Sequence, residues 1–357
     1  MKSFIYSNQP ARVVFRAGAL DQLAAEIDRL GVRRALVLST PEQRASAEDV
    51  SRRLGSHSAG VYDRAVMHVP IETAQAARAK AKELNADCCV AIGGGSTIGL
   101  GKAIALTSEL PILAIPTTFA GSEMTPIFGI TEQGQKKTGR DPRVLPKTVI
   151  YDPLLTMSLP AHIAGPSGMN AIAHCVEALY AQDANPITSL MAEEGIRALA
   201  SSLPTVVSKP DDIEARSEAL YGAWLAGACL GNVGMALHHK LCHTVGGTFN
   251  LPHAETHAVI LPHAVHYNFD AAPEAMARIA RALGASGLAA DGVAAALFRL
   301  ARTLSVPLAL RDIGMKMESL DEAARLALQN PYYNPRPLEY SAIRLLLQNA
   351  WEGKRPG

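Results

Sequence analysis

Residues 87–106 read DCCVAIGGGSTIGLGKAIAL and contain the pattern that decides the fold of the first half of the chain. An apolar run at residues 87–92 leads directly into three glycines, and an apolar stretch with helical character follows at residues 98–106. The order of strand, glycine turn and helix is typical of a parallel sheet whose strands alternate with helices. We therefore predict a strand, a glycine turn and a helix in this stretch.

The same alternation extends on both sides of this stretch. Apolar runs at residues 34–39, 112–115 and 148–151 predict three more buried strands of a parallel sheet. After residue 160 the helical periodicity continues almost without strand patterns. The sequence thus predicts a Rossmann-like α/β domain over residues 1–160 and an all-α domain over residues 161–357, with a ligand cleft between them. The predicted helices of the second domain are residues 167–180, 189–202, 215–231, 234–246, 274–283, 291–304 and 338–348.

Composition and charge argue against several classes of protein. A length of 357 residues suits about two domains, and a hydrophobic content of 48% is enough for two cores. Lys and Arg number 34 against 33 Asp and Glu, so no strong field would attract nucleic acid or an acidic membrane. The N-terminal stretch lacks the apolar core of a signal peptide, and no run approaches the ~20 apolar residues of a membrane span.

The five cysteines do not form a disulfide or metal-binding pattern. Their number is odd, their spacing is irregular and no pair has the form CxxC. We expect reduced core residues in a cytoplasmic protein. They are Cys88, Cys89, Cys175, Cys229 and Cys242.

The glycine turn predicts a phosphate-binding loop. Gly93, Gly94 and Gly95 would allow the backbone to approach a pyrophosphate, and the next helix offers unpaired N–H groups and the positive end of its dipole. We expect Ser96 to cap that helix, and a side chain at Gly94 to occupy the space of the pyrophosphate. The motif is neither GxGxxG nor a Walker A loop, so a plain glycine-rich turn is the alternative.

A second loop supports the prediction of a dinucleotide site. Strand 112–115 is followed by Pro116, Thr117 and Thr118, and Ser122 comes shortly after. Hydroxyl groups at the carboxyl end of a parallel strand lie where open sheets bind ligands.

Eleven histidines are unevenly distributed along the chain. Asn170 and His174 are four residues apart on a predicted helix and so share one face, with Glu177 close to that stripe. His239 and His243 repeat this spacing. Histidines four apart can direct two imidazoles at one ion or one substrate, although a solvated or structural histidine is the alternative for each one alone. Further histidines follow at His253, His257 and His263.

These residues, in this order, resemble the iron-containing (type III) alcohol dehydrogenase family over essentially the whole chain. The chain is similar above all to one branch, the maleylacetate reductases. This resemblance implies the dehydroquinate synthase-like fold of the family, NADH or NADPH as cofactor, and a homodimer. The segments that carry the branch resemblance are MHVP at 67–70, TGRDPRVLP at 138–146, GMALHHKLCHTVGG at 234–247, LPHAETHAV at 251–259 and NPYYNPRP at 330–337.

The family normally holds a divalent metal with one Asp and three His. By motif position the aspartate falls on Asn170 and the histidines on His174, His239 and His253, while His243 matches an extra histidine beside the metal. Asparagine removes a negative charge, so the set should hold a hard dication less well. We expect no tightly bound metal, and catalytic roles for these five residues with His243 and His253 foremost.

The resemblance also implies the cofactor choice and the substrate. NAD-selective relatives often place Asp at the position of Ser39, and without that carboxylate a 2′-phosphate is not repelled. The implied reaction reduces the carbon–carbon double bond of maleylacetate to give 3-oxoadipate, a step in the degradation of aromatic compounds. Lys136, Arg140 and Arg143 would bind the two substrate carboxylates, with a solvated basic loop as the alternative.

The sequence leaves three other functions open. The first is a metal-dependent alcohol or polyol dehydrogenase on the same fold, which Asn170 argues against. The second is a lyase-type relative similar to the dehydroquinate synthases, whose metal site finds no match in this sequence. The third is a non-catalytic nucleotide-binding module, which the histidine cluster argues against.

Overall fold

The computed structural model describes Phe4, Tyr6 and residues 12–132, 135–284 and 290–356. The described residues form two compact units, one of residues 12–159 and one of residues 160–356 together with Phe4 and Tyr6. We name residues 12–159 the sheet unit and residues 160–356 the helical unit.

The sheet unit alternates strands with helices, and the predicted α/β fold is confirmed. Its strands are β1 (Arg12–Phe15), β2 (Ala35–Leu38), β3 (Ser58–Tyr62), β4 (Cys88–Gly93), β5 (Ile112–Pro116), β6 (Ile127–Glu132), β7 (Gln135–Arg140) and β8 (Thr148–Tyr151). Its helices are α1 (Leu23–Leu30), α2 (Arg44–Leu54), α3 (Ile71–Glu83) and α4 (Gly95–Ser108). Within the described residues, six strands form a parallel sheet in the order β1-β8-β5-β4-β2-β3.

The burial of the strands explains which of them the sequence predicts. Strands β2, β4, β5 and β8 are buried along their whole length, so their sequences are continuous apolar runs. Strands β1 and β3 lie at the edges of the sheet and are only partly buried, and both were missed. The antiparallel hairpin of β6 and β7 was also missed, because basic residues fill much of β7.

The helical unit consists of helices throughout its described residues, apart from turns and short 3-10 segments, as predicted. Helix α9 is absent from the predicted helices, and it continues through Pro262. A short helix, α12, was missed as well. The helices are α5 (Ala161–Leu179), α6 (Pro186–Ser208), α7 (Ile213–Asn232), α8 (Leu237–Phe249), α9 (His253–Asn268), α10 (Pro273–Ala282), α11 (Ala290–Thr303), α12 (Leu320–Ala327) and α13 (Tyr340–Glu352).

Two features of composition can be checked against the fold. All five cysteines are free and buried. In the described part of the chain, no single helix combines the length and hydropathy needed to cross a bilayer, and only α7 and α8, bent by 94° at their junction, meet these two criteria as a pair.

Candidate active site

The glycine loop lies at the end of β4, and the surroundings of its three glycines differ. Gly93 has a φ of 147°, and a Cβ there would lie 2.5 Å from Thr97 Oγ1. A Cβ on Gly94 would meet the side chain of Thr118 at 2.9 Å. A Cβ on Gly95 would meet no atom within 4 Å, so open space lies beside this residue at the start of α4.

These positions correct one expectation about the loop. Helix α4 begins at Gly95 with Gly94 as its N-cap, so Ser96 lies inside the first turn and does not cap the helix. A side chain at Gly94 would first meet Thr118, and the open space lies next to Gly95. The N–H groups at the start of a helix lack carbonyl partners one turn earlier, which is the feature that suits an anion there.

The second loop is tied to the first by hydrogen bonds. The Thr117 N–H donates to the Gly93 carbonyl at 3.1 Å, and the Gln43 side-chain amide donates to Thr117 Oγ1 at 2.8 Å. Gln43 lies just before α2 and was not predicted to be a site residue. Ser39 follows β2 and is fully buried, and its hydroxyl has no hydrogen-bond partner within the described residues.

The helix that follows the glycine loop carries a buried lysine that was not predicted. Lys102 on α4 is 1% exposed, and its Nζ donates to the carbonyl oxygens of Ser122, Thr125 and Ile127 at 2.7 to 2.9 Å. Burial lowers the pKa of Lys102 to about 7, while the carboxyl of Glu123 opposes this shift. Lys102 thereby holds the turn that contains Ser122 against α4.

The three basic residues predicted to bind substrate lie on or beside strand β7. Arg140 ends β7 and is exposed. The guanidinium of Arg143 makes close contacts with the Asp141 carboxylate at 2.6 to 3.1 Å, so its Nε and Nη2 already have a local partner. The side chain of Lys136 lies outside the described part of the chain.

In the helical unit, three helices bring the predicted histidines together. Asn170 and His174 lie on α5, His239 and His243 on α8, and His253 begins α9. The ring centroids of His174 and His239 are 5.0 Å apart, and those of His243 and His253 are 6.4 Å apart. The structure therefore assembles the constellation that the sequence spacing predicts.

The local sequence of α8 explains why its histidines face the cluster. Leu237, Leu241 and Val245 recur every four residues and are buried in a hydrophobic core with residues of α9, α12 and α13. His239 and His243 occupy a second stripe of the same helix. His243 is exposed and His253 half-buried in the chain, whereas His174 and His239 are each 4% exposed.

Two further histidines belong to the cluster and were not assigned to the site. His238 Nε2 lies 3.0 Å from His257 Nδ1, so one of these ring nitrogens donates to the other. The His257 ring lies 4.3 Å from that of His253 and 4.9 Å from that of His239. The spacing of four residues between His253 and His257 was the sequence signal for this contact.

Burial favours the neutral form of three imidazoles in the cluster. Burial lowers the pKa of His174, His238 and His257 well below 6.5, and the neighbouring histidines lower each of them further. Several polar atoms in the cluster have no hydrogen-bond partner within the described residues, including Asn170 Oδ1 and His239 Nε2. Unpaired buried polar atoms are costly, so their clustering is typical of a ligand-binding or catalytic site.

The carboxyl group of Glu177 contacts the histidine cluster through His239. This fully buried residue of α5 accepts hydrogen bonds from the backbone N–H groups of Ala236 and His238, at 2.9 and 2.7 Å. Its Oε2 also lies 2.7 Å from His239 Nδ1. One carboxylate thus contacts both the start of α8 and the imidazole of His239.

Comparison with known proteins agrees with this geometry. Residues 10–153 match the iron-containing alcohol dehydrogenase family, and residues 165–351 match the C-terminal domain of the same family. The maleylacetate reductase of Burkholderia cepacia is 61% identical over 356 residues, which covers 100% of both chains. The crystal structures of maleylacetate reductase from Agrobacterium tumefaciens and from Rhizobium sp. are 53% and 52% identical, with TM-scores of 0.95 and 0.94 and full coverage of both chains.

The chain belongs to the iron-containing alcohol dehydrogenase family. It is accordingly an oxidoreductase.

The residues at the family's metal positions do not fit a tightly held dication. Asn170 offers a neutral amide oxygen beside three imidazoles, and both oxygens of the nearby Glu177 already accept N–H groups. One trio, His238, His239 and His257, brings a ring nitrogen from each residue within 4.8 Å of the others. However, His238 Nε2 and His257 Nδ1 already share a hydrogen bond, at 3.0 Å.

Proposed function

We propose that this oxidoreductase reduces the carbon–carbon double bond of maleylacetate with NADH or NADPH, giving 3-oxoadipate. The observation that carries the proposal is Asn170, which replaces the expected carboxylate inside a cluster of buried imidazoles. An alcohol dehydrogenase must stabilise a full alkoxide, for which a metal acts as Lewis acid. Reduction of a double bond conjugated with a ketone forms an enolate, which hydrogen bonds can stabilise.

The reaction balances with one hydride and one proton. The cofactor supplies the hydride and would be held by the glycine loop, with its pyrophosphate beside Gly95. The hydride adds to the alkene carbon that is β to the ketone, and the π electrons move to the ketone oxygen. A proton added to the α carbon then restores the ketone and leaves a saturated dicarboxylate.

The histidines differ in how well they suit the proton transfer. His243 and His253 are the two members of the predicted set that solvent reaches in this chain, so each can exchange a proton with water between turnovers. We assign proton delivery to His243 first and to His253 second. His174, His239 and Asn170 are buried beside them and shape the polar surface around the enolate oxygen or a carboxylate.

Two side chains remain candidates for binding the substrate carboxylates. Arg140 and Lys136 belong to strand β7, and a guanidinium suits a carboxylate because it donates two parallel hydrogen bonds. Arg143 is a weaker candidate than its sequence position suggests, because its Nε and Nη2 already donate to Asp141.

The proposal extends to the cofactor preference and to the assembly. Both NADH and NADPH are expected to serve, since Ser39 carries no charge to repel a 2′-phosphate. A preference beyond about a hundredfold, ~3 kcal/mol, would contradict this. The protein is expected to act in the cytoplasm, in the degradation of aromatic compounds, as a homodimer. A monomer at working concentration by light scattering would refute the assembly.

The assignment of the histidines can be tested by substitution. His243→Ala and His253→Ala are each expected to lower kcat with maleylacetate by ~100-fold or more. His266→Ala is the matched control, because His266 is exposed on the same helix as His253. Near-normal kcat in both active-site variants would refute the assignment.

A metal-dependent alcohol or polyol dehydrogenase is the second candidate. The contact between Glu177 and His239 favours it, because histidines that bind metals usually donate their other ring N–H to such a group. Turnover of simple alcohols that is lost on chelation and restored by a divalent metal would support this candidate.

A further inference from the structure

We propose that Glu177 is a positioning residue that fixes the tautomer of His239 and the start of helix α8 at the same time. Its role in turnover rests on the proposed function, whereas the tautomer does not depend on the substrate.

The contacts of Glu177 show that both of its oxygens act as acceptors. Oε1 accepts the His238 N–H at 2.7 Å, and Oε2 accepts the Ala236 N–H at 2.9 Å. These backbone groups are donors whatever the pH, so a proton on either oxygen would face an N–H group. Both oxygens of Glu177 are therefore occupied as acceptors of backbone N–H groups.

The tautomer of His239 follows from this carboxylate. His239 Nδ1 lies 2.7 Å from Oε2, and only a protonated Nδ1 makes a favourable contact with an acceptor at this distance. In the neutral form of this ring the lone pair is therefore on Nε2. That atom is buried and has no hydrogen-bond partner within the described residues.

The fixed tautomer limits what His239 can do in the reaction. A neutral His239 with a proton on Nδ1 can accept a hydrogen bond through Nε2 but cannot donate one from it. It therefore suits an O–H or N–H group presented by a bound substrate or by another imidazole. Donation to a developing enolate falls to the more accessible His243 and His253.

The same carboxylate anchors the helix that carries His239 and His243. Helix α8 has Ala236 as its N-cap, with no side-chain capping bond from that residue. Glu177 supplies the missing acceptor from α5 and places a negative charge at the positive end of the α8 dipole. Loss of Glu177 would thus release the ring of His239 and the first turn of α8 together.

Nuclear magnetic resonance of the wild-type protein tests the tautomer without any substitution of Glu177. Two-bond proton–nitrogen correlation of histidine-labelled protein, with the His239 signals assigned through His239→Gln, reports which ring nitrogen carries the proton. We expect a proton on Nδ1 and an unprotonated Nε2. A proton on Nε2 instead would overturn the proposal.

A substitution then separates positioning from helix stability. Glu177→Ala is expected to lower kcat roughly 10- to 100-fold and to populate the Nε2-protonated form of His239. The matched control is Asp212→Ala, because Asp212 caps α7 through a 2.9 Å bond to the Ala215 N–H and lies outside the cluster. This control should lose thermal stability while keeping kcat.

The outcomes are distinct. An unchanged tautomer and an unchanged kcat in a folded Glu177→Ala protein would overturn the proposal. If that variant does not fold, the wild-type tautomer alone decides. Absence of maleylacetate turnover in the wild type would refute the proposed function and leave the tautomer result unaffected.

Discussion

His239 Nδ1 lies 2.7 Å from Glu177 Oε2, and the two side chains are 6% and 0% exposed. This contact joins α5 to α8 at the point where the candidate active site is assembled. The same arrangement serves a metal-binding histidine in other proteins, where the outer carboxylate orients the ring. By motif position Asn170 takes the place of the family's aspartate. The residues at the family's metal positions therefore include no anionic ligand in this chain.

Gly95→Val is expected to weaken NADH binding at least ~10-fold, about 1.4 kcal/mol. A side chain there meets no protein atom within 4 Å, so it should enter the space beside the start of α4 that suits the pyrophosphate. Fluorescence titration with NADH measures the effect, and Ala76→Val on the exposed side of α3 is the control. Equal affinity in the two variants would place the cofactor elsewhere.

Lys102→Met is expected to lower the free energy of unfolding by ~3 kcal/mol, because it leaves several buried carbonyl oxygens without a donor. Urea denaturation followed by circular dichroism measures the change. Lys80→Met is the control, since Lys80 makes only an exposed ion pair with Glu83, and its effect should stay within ~0.5 kcal/mol. Similar losses in both variants would show that the buried contacts of Lys102 contribute little.

The protein is expected to lose stability as the pH falls below about 6.5. Burial lowers the pKa of His263 to about 4, so the unfolded chain takes up the proton first. The contribution of His263 is complete above 6.5 and is lost progressively as the pH falls toward its folded-state pKa. His174, His238 and His257 act in the same direction.

Comparison of denaturation at about pH 7.5 and about pH 5 tests this pH dependence. His263→Gln should reduce the acid-induced loss by about 2 kcal/mol, because the substituted side chain does not titrate. His162→Gln, at an exposed position of α5, should leave the loss unchanged. An identical pH dependence in His263→Gln and in the wild type would contradict the assignment.

The sequence predicts the strands and the helix faces that depend on local patterns of residues. The apolar run before Gly93 identifies β4, and the spacing of four residues identifies the shared faces of α5 and α8. The partners of Glu177 lie 59 to 62 residues away along the chain, so no local pattern reveals their contact. The carbonyl oxygens that accept hydrogen bonds from Lys102 likewise begin about 20 residues further along the chain.

The most direct test of the account is the oxidation of NADH by the purified enzyme with maleylacetate, before and after exhaustive chelation, with iron and zinc content measured in the same samples. We expect full activity with maleylacetate in metal-free protein and negligible activity with simple alcohols. Stoichiometric iron or zinc, with activity lost on its removal and restored on its return, would contradict it.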